Sequence, residues 1–158
     1  MTNRLEKGDT APAITLPATN DQTVKLGAPQ RKGHVVFFYP KDNTSGCTTE
    51  ATDFTRLKAQ FDRLGFAIIG VSKDSLTSHD NFRAKHDLSV ILASDPDGEA
   101  CEAFGVWVEK NMYGRKYMGI ERATFIITAD KAVAEVWRKV RVKGHADAVL
   151  AATQALIE

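Results

Sequence analysis

The chain has 158 residues, 43% of them hydrophobic and 26% charged, with a net charge of +1. That suits one domain with a real core, read over 1–158, and leaves neither a basic surplus pointing to nucleic acid nor an acidic one pointing to a solvating tail. The N-terminal stretch has no apolar core of signal-peptide length and no run approaches a membrane span, so the expected compartment is the cytoplasm.

In chain order, residues 13–16 and 23–26 flank the turn-prone ATNDQ and predict an N-terminal β-hairpin. Residues 34–39 (HVVFFY) form a continuous apolar run, as for a strand buried on both faces. Residues 48–64 follow with Ala51, Phe54, Leu57, Phe61 and Leu64 at helical spacing, and Gly65 closes the helix as a left-handed cap. Residues 66–72 (FAIIGVS) predict a second buried strand, Ser78 the cap of a helix through His86, and residues 90–93 a short strand. A short helix over 97–104 ends at Gly105, and NMYG is a turn. Two long strands, 122–128 and 132–140, then meet at the tight turn ADK, and 145–157 is a terminal helix. A β-α-β start followed by a hairpin and a helix predicts an α/β chain, a mixed central sheet flanked by helices. That is the layout of the thioredoxin-like fold with an N-terminal β-hairpin added in front and a helix inserted in the middle.

Two cysteines, Cys47 and Cys101, do not make a disulfide framework. Cys47 lies where the first buried strand hands over to the first long helix. Sites in open α/β sheets form at the carboxyl ends of strands, and a helix N-terminus offers unpaired N–H groups and a positive dipole end. Both favour a thiolate over a thiol. A free thiol is only a few per cent ionised at neutral pH, so position alone can raise the reactive fraction on the order of 30-fold. Pro40 can shape a loop over the sulfur, Thr44 can cap the helix with its hydroxyl near the sulfur, and Gly46 lets the backbone approach closely. The same residues also suit an ordinary strand–loop–helix connection. His34, His79, His86 and His145 show no ligand spacing and read as surface or loop residues, with no metal implied.

Pro40-x-x-x-Thr44-x-x-Cys47 resembles the active-site motif of the peroxiredoxins. KGDTAPAITLPATNDQTVKL, VVFFYPKDNTSGCTTE, SDPDGEACEAFGVW and GIERATFIIT resemble successive segments of that family, the last carrying its active-site arginine, here Arg122. FYPKDNTSGCTTE and NMYG are similar to the bacterioferritin comigratory protein or peroxiredoxin Q subfamily. The resemblance implies a cofactor-free, thiol-dependent peroxidase. Cys47 thiolate attacks a hydroperoxide, either hydrogen peroxide or an organic one, and becomes a sulfenic acid. Thr44, Arg122 and the Cys47 N–H hold the peroxide oxygens.

One feature departs from the subfamily. Its resolving cysteine often stands five residues after the peroxidatic one, where this chain has Thr52. Other members carry it in the helix after the second buried strand, which here reads SHDNFRAKHDL. Cys101 remains, as a buried core thiol, as a resolving thiol reached after local unfolding, or as a site of regulation or of an intermolecular disulfide. The expectation is a 1-Cys enzyme, monomeric, whose sulfenate is reduced by thioredoxin, glutaredoxin with glutathione, or another small thiol. The alternatives are a Cys47–Cys101 atypical 2-Cys peroxiredoxin, a thiol–disulfide oxidoreductase on the same fold, which would normally need C-x-x-C, and a non-enzymatic binding or holdase module.

Overall fold

The chain runs β1 (Ile14–Ala18), β2 (Gln22–Leu26), β3 (Gly33–Phe38), α1 (Ser45–Leu64), β4 (Phe66–Ser72), α2 (Leu76–His86), β5 (Ile91–Ser94), α3 (Glu99–Ala103), β6 (Trp107–Met112), β7 (Arg115–Ile120), β8 (Ala123–Thr128), β9 (Val133–Trp137) and α4 (His145–Ile157). This computed structural model describes residues 5–157. Residues 1–4, part of the stretch read for a leader, and residue 158 lie outside it. Seven strands form one mixed sheet in the order β2-β1-β5-β4-β3-β8-β9, and β6 and β7 make a separate hairpin. The strands β3, β4 and β5 are parallel, as the two intervening helical crossovers require, and β8 runs antiparallel to β3.

Side chains alternate across a strand, so the sheet divides the interior into two cores. On one face Val35, Phe37, Tyr39 and Ile68 pack against Cys47, Ala51, Phe54, Leu57 and Phe61 of α1, Phe82 of α2, and Val149 of α4. On the other, Val36, Phe38, Ile69, Val71 and Phe125 pack against the N-terminal hairpin and against Ala100, Cys101 and Phe104 in and beside α3. The apolar stripe of α1 therefore does what its spacing predicted. Burying one Phe such as Phe54, whose ring stacks on Phe37 at 4.8 Å, contributes about 2–3 kcal/mol. Gly65 ends α1 with φ 86°, the left-handed conformation that favours glycine.

Several local expectations change. Strand β9 stops at Trp137 rather than running to residue 140, and Lys139 has φ 48°, which breaks the ladder. The cap of α2 is Ser75, one turn before Ser78. Ser75 accepts the Ser78 N–H at 3.1 Å, and the Ser78 hydroxyl is used elsewhere. The NMYG turn belongs to a full hairpin. Tyr113 and Gly114 both have positive φ, as a two-residue turn matching the strand twist requires, and β6 and β7 flank it. Exposed large side chains gather there: Met112, Tyr113, Tyr117 and Met118. The histidines are the clearest correction. His34, His79 and His145 are buried, and only His86 of the four lies partly at the surface.

Candidate active site

The register of β8 against β3 places Ala123 opposite Phe38, so Arg122 arrives beside the carboxyl end of β3, where the chain turns into α1. Cys47 is the third residue of that helix and is buried. Arg122 donates from Nη2 to Cys47 Sγ at 3.3 Å and from Nη1 to Glu50 Oε1 at 2.8 Å. A Cβ on Gly46 would come 3.2 Å from Arg122 Nη2, so the absence of a side chain there lets the guanidinium reach the sulfur. Thr44 is the N-cap by backbone conformation, but its hydroxyl does not cap. It donates to the Lys41 carbonyl at 3.0 Å. No side chain caps the first-turn N–H groups, which leaves the positive end of α1 facing the sulfur. Pro40 is exposed in the connection and reaches the site only by shaping the loop. Cys101 lies on the opposite face of the sheet, fully buried. Burial and the Asp95 carboxylate push its thiol well above the ordinary range. Both cysteines are free thiols.

Glu50 was not singled out by the sequence reading, although a charge in the middle of an apolar helical stripe, three residues after Cys47, is a legible signal. It is buried, and its Oε2 is the one buried side-chain oxygen without a hydrogen-bond partner among the described residues. Burial pushes its carboxyl up to about 7 against the pull of Arg122. From α4, His145 brings Nε2 to 4.0 Å from that oxygen and to 2.8 Å from the Thr124 hydroxyl. Burial, with the Arg122 charge, lowers its imidazole to about 4. Arg122 itself loses to burial but gains more from Glu50 and Cys47, and its pKa rises. On β6, Lys110 faces the same cluster, its ammonium destabilised by burial and by Arg122. Lys110, Arg122, Val108 and Val140 line a cleft of about 540 Å³ beside the site.

A second buried network holds the loop. The Asp42 carboxylate accepts from Tyr39 Oη at 2.6 Å and Ser78 Oγ at 2.8 Å, and lies 2.7 Å from His79 Nδ1. His79 Nε2 is 2.9 Å from the Ala93 carbonyl, and Asp74 accepts the Asp42 N–H at 2.8 Å. The loop before Cys47 is thereby tied to α2 and β5. Asp42, Asp74 and His79 are the one convergent group of metal-type ligands among the described residues. Their atoms already have protein partners, and the group reads as a hydrogen-bonded knot.

Residues 7–136 match the AhpC/TSA family. The chain is 55% identical over 125 residues to peroxiredoxin Bcp of Xanthomonas campestris pv. campestris, covering 78% of each protein. It is 45% identical over 141 residues to peroxiredoxin Bcp of Bacillus subtilis, covering 89% of this chain and 90% of that one. Among solved structures it resembles peroxiredoxin Q of X. campestris with a TM-score of 0.85 at 48% identity, covering 92% of each chain. It resembles a cysteine-to-serine mutant of the Xylella fastidiosa enzyme with a TM-score of 0.91 at 39% identity, covering 99% of each. With this sheet order, a cysteine at the mouth of α1 and an arginine delivered to it by β8, the chain belongs to the AhpC/TSA family and, within it, to the Bcp or Q type of peroxiredoxin.

Proposed function

We propose that this chain is a thiol-dependent peroxidase of the 1-Cys type, with Cys47 as its nucleophile. The observation that carries the assignment of roles is the 3.3 Å contact from Arg122 to Cys47 Sγ at an uncapped helix start. A cation and free N–H groups there favour the thiolate, and the same donors face the charge that develops on the departing oxygen. The thiolate attacks one peroxide oxygen, the S–O bond forms as the O–O bond breaks, and the alkoxide or hydroxide leaves and takes a proton. Thr44 would serve from the loop, its hydroxyl leaving the Lys41 carbonyl to donate to the substrate. Pro40 would fix the loop's path.

A related X. campestris bacterioferritin comigratory protein, 44% identical with a TM-score of 0.86, has structures concerned with alkyl peroxide reduction. The cleft beside Arg122 leaves room for an organic tail, so we assign both hydrogen peroxide and organic hydroperoxides as substrates. The sheet stands between Cys47 and Cys101, and no thiol follows at Thr52, which favours an external thiol as reductant: thioredoxin, glutaredoxin or a small thiol. We keep the monomer as the working state and the cytoplasm as its setting. The exposed apolar residues of the β6–β7 hairpin are broken up by Lys110, Arg115 and Lys116, and among the described residues no helix is long and apolar enough to cross a membrane. Mass spectrometry after one equivalent of peroxide tests the reading. A sulfenic acid on Cys47, captured by dimedone, is expected. A Cys47–Cys101 disulfide would replace the 1-Cys type by the 2-Cys alternative.

A further inference from the structure

Arg122 stands between two groups that can each carry a negative charge. Its Nη2 reaches Cys47 Sγ and its Nη1 reaches Glu50 Oε1. One guanidinium compensates one anion well. Two anions on it would leave excess negative charge at the head of α1, which is costly because Cys47 and Glu50 are both buried. The two oxygens of Glu50 are also unequal. Oε1 is held by Arg122, whereas Oε2 is buried without a partner, a poor place for half of an ionised carboxylate and a tolerable one for a neutral acid.

We propose that Arg122 divides a single negative charge between Cys47 and Glu50: Glu50 keeps its proton while Cys47 is a thiolate and releases it as Cys47 becomes a neutral sulfenic acid, so that Glu50 is a positioning residue aiming the arginine at sulfur or at itself according to the state of the cycle. This rests on the peroxidase reading. Attack by the thiolate oxidises sulfur by two electrons and reduces the peroxide. The alkoxide takes one proton, and Glu50 gives up one. The negative charge has crossed Arg122, and the site as a whole draws no proton from solvent. Reduction of the sulfenic acid by an external thiol restores the thiolate and reprotonates Glu50.

The groups facing Glu50 agree with this. Asp53, one turn further along α1, opposes its ionisation, and Arg122 from the start of β8 favours it. Burial acts with Asp53, outweighs Arg122, and pushes the carboxyl up to about 7. From α4, His145 is held neutral by burial and by Arg122, so a proton shared between these neighbours resides on Glu50. From β6, Lys110 adds a positive field toward Cys47 and Arg122. Both forms of Glu50 are therefore within reach around neutral pH, which an exchange of charge within the cycle requires.

The test counts protons. Reduced enzyme in weak buffer with an indicator dye, about one unit below pH 7 where Glu50 keeps its proton, is mixed with one equivalent of hydrogen peroxide. Sulfenic acid is counted by dimedone labelling. Wild type is expected to take up no net proton per sulfenic acid formed, and Glu50→Gln, which still accepts from Arg122 but has no proton to give, to take up close to one. Infrared difference spectra of wild type, independent of any variant, are expected to lose a protonated-carboxyl band on oxidation. Equal proton uptake in the two proteins, or an oxidation that leaves the carboxyl region unchanged, overturns the charge exchange while leaving the peroxidase reading in place. Failure of wild type to form sulfenic acid at all overturns both.

Discussion

Cys47 and Cys101 are equally buried, and burial alone would make both inert. What separates them is what each faces. Cys47 sits at the start of a 20-residue helix with an arginine donating to its sulfur. Cys101 sits inside the five-residue α3, where the Ala100 and Cys101 N–H groups are already satisfied by Asp95 at 3.1 and 2.9 Å. A carboxylate occupies the helix start that an anionic sulfur would need, and it repels a thiolate as well. A buried cysteine becomes chemical only when the positive end of its helix and a cation are left free to serve it.

The comparison is broken most severely by Cys47→Ser, expected to reduce peroxide consumption to background because a serine hydroxyl is hardly ionised at neutral pH. A stopped-flow peroxide assay with a small thiol reads it. Arg122→Met keeps the thiol but removes both donors, and the second-order rate with peroxide is expected to fall on the order of 100- to 1,000-fold. A fall of less than about threefold would mean that the 3.3 Å contact has no part in catalysis.

Acid separates the two faces next. His145 on the Cys47 face and His34, which shares its face of β3 with Val36 and Phe38, are both pushed by burial from 6.5 down to about 4. The stability each contributes is complete above pH 6.5 and lost as pH falls through about 4. On the Cys47 face Glu50 runs the other way: raised to about 7, it contributes most below 4.5 and loses this as pH rises through 7, offsetting His145. His34, whose Nε2 accepts the Gly27 N–H at 3.2 Å, has no such counterweight and is expected to account for roughly 3 kcal/mol of acid destabilisation. His34→Gln should flatten urea-measured stability between pH 6.5 and 4.

Cys101→Ser is a smaller change. Turnover with a small thiol should stay within about twofold, and stability should drop by about 1 kcal/mol, because the Asp95 carboxylate beside Cys101 can accept from the new hydroxyl, read from urea midpoints. Equal loss of turnover in both cysteine variants would make Cys101 the resolving thiol. Thr52→Cys is the mildest. Thr52 is exposed on α1 while Cys47 is buried, so a bond between them needs the first turn to unwind. A non-reducing peptide map after one equivalent of peroxide is expected to show the new disulfide. Cys47 found only as sulfenic or overoxidised acid would show that this turn stays wound.

The apolar runs were legible because they follow period: β4 and α4 stand where the sequence placed them, and the stripe of α1 is the core face it predicted. The β6–β7 strands were missed because their side chains are largely polar or exposed and show no alternation. The histidines were misread because a lone polar residue gives no sign of burial. His79 is buried only because Asp42, thirty-seven residues away, and the Ala93 carbonyl meet its two ring nitrogens. Cys47 and Arg122 came through their motif, whereas Glu50 and His145 depend on how α1, β8 and α4 converge, a tertiary fact without a local pattern.

Strand β3 is buried at every residue and paired on both sides, to β4 and to β8. Its amide hydrogens can meet deuterium only when the sheet itself comes apart, whereas the first turn of α1, a few residues further along the chain, can exchange by fraying. Two clocks thus run within a dozen residues of one another. The slow one, in HVVFF, reports the lifetime of the whole molecule. The fast one, around Cys47, reports how often the first turn of α1 opens, and the gap between them is the range over which that turn can move without putting the fold at risk.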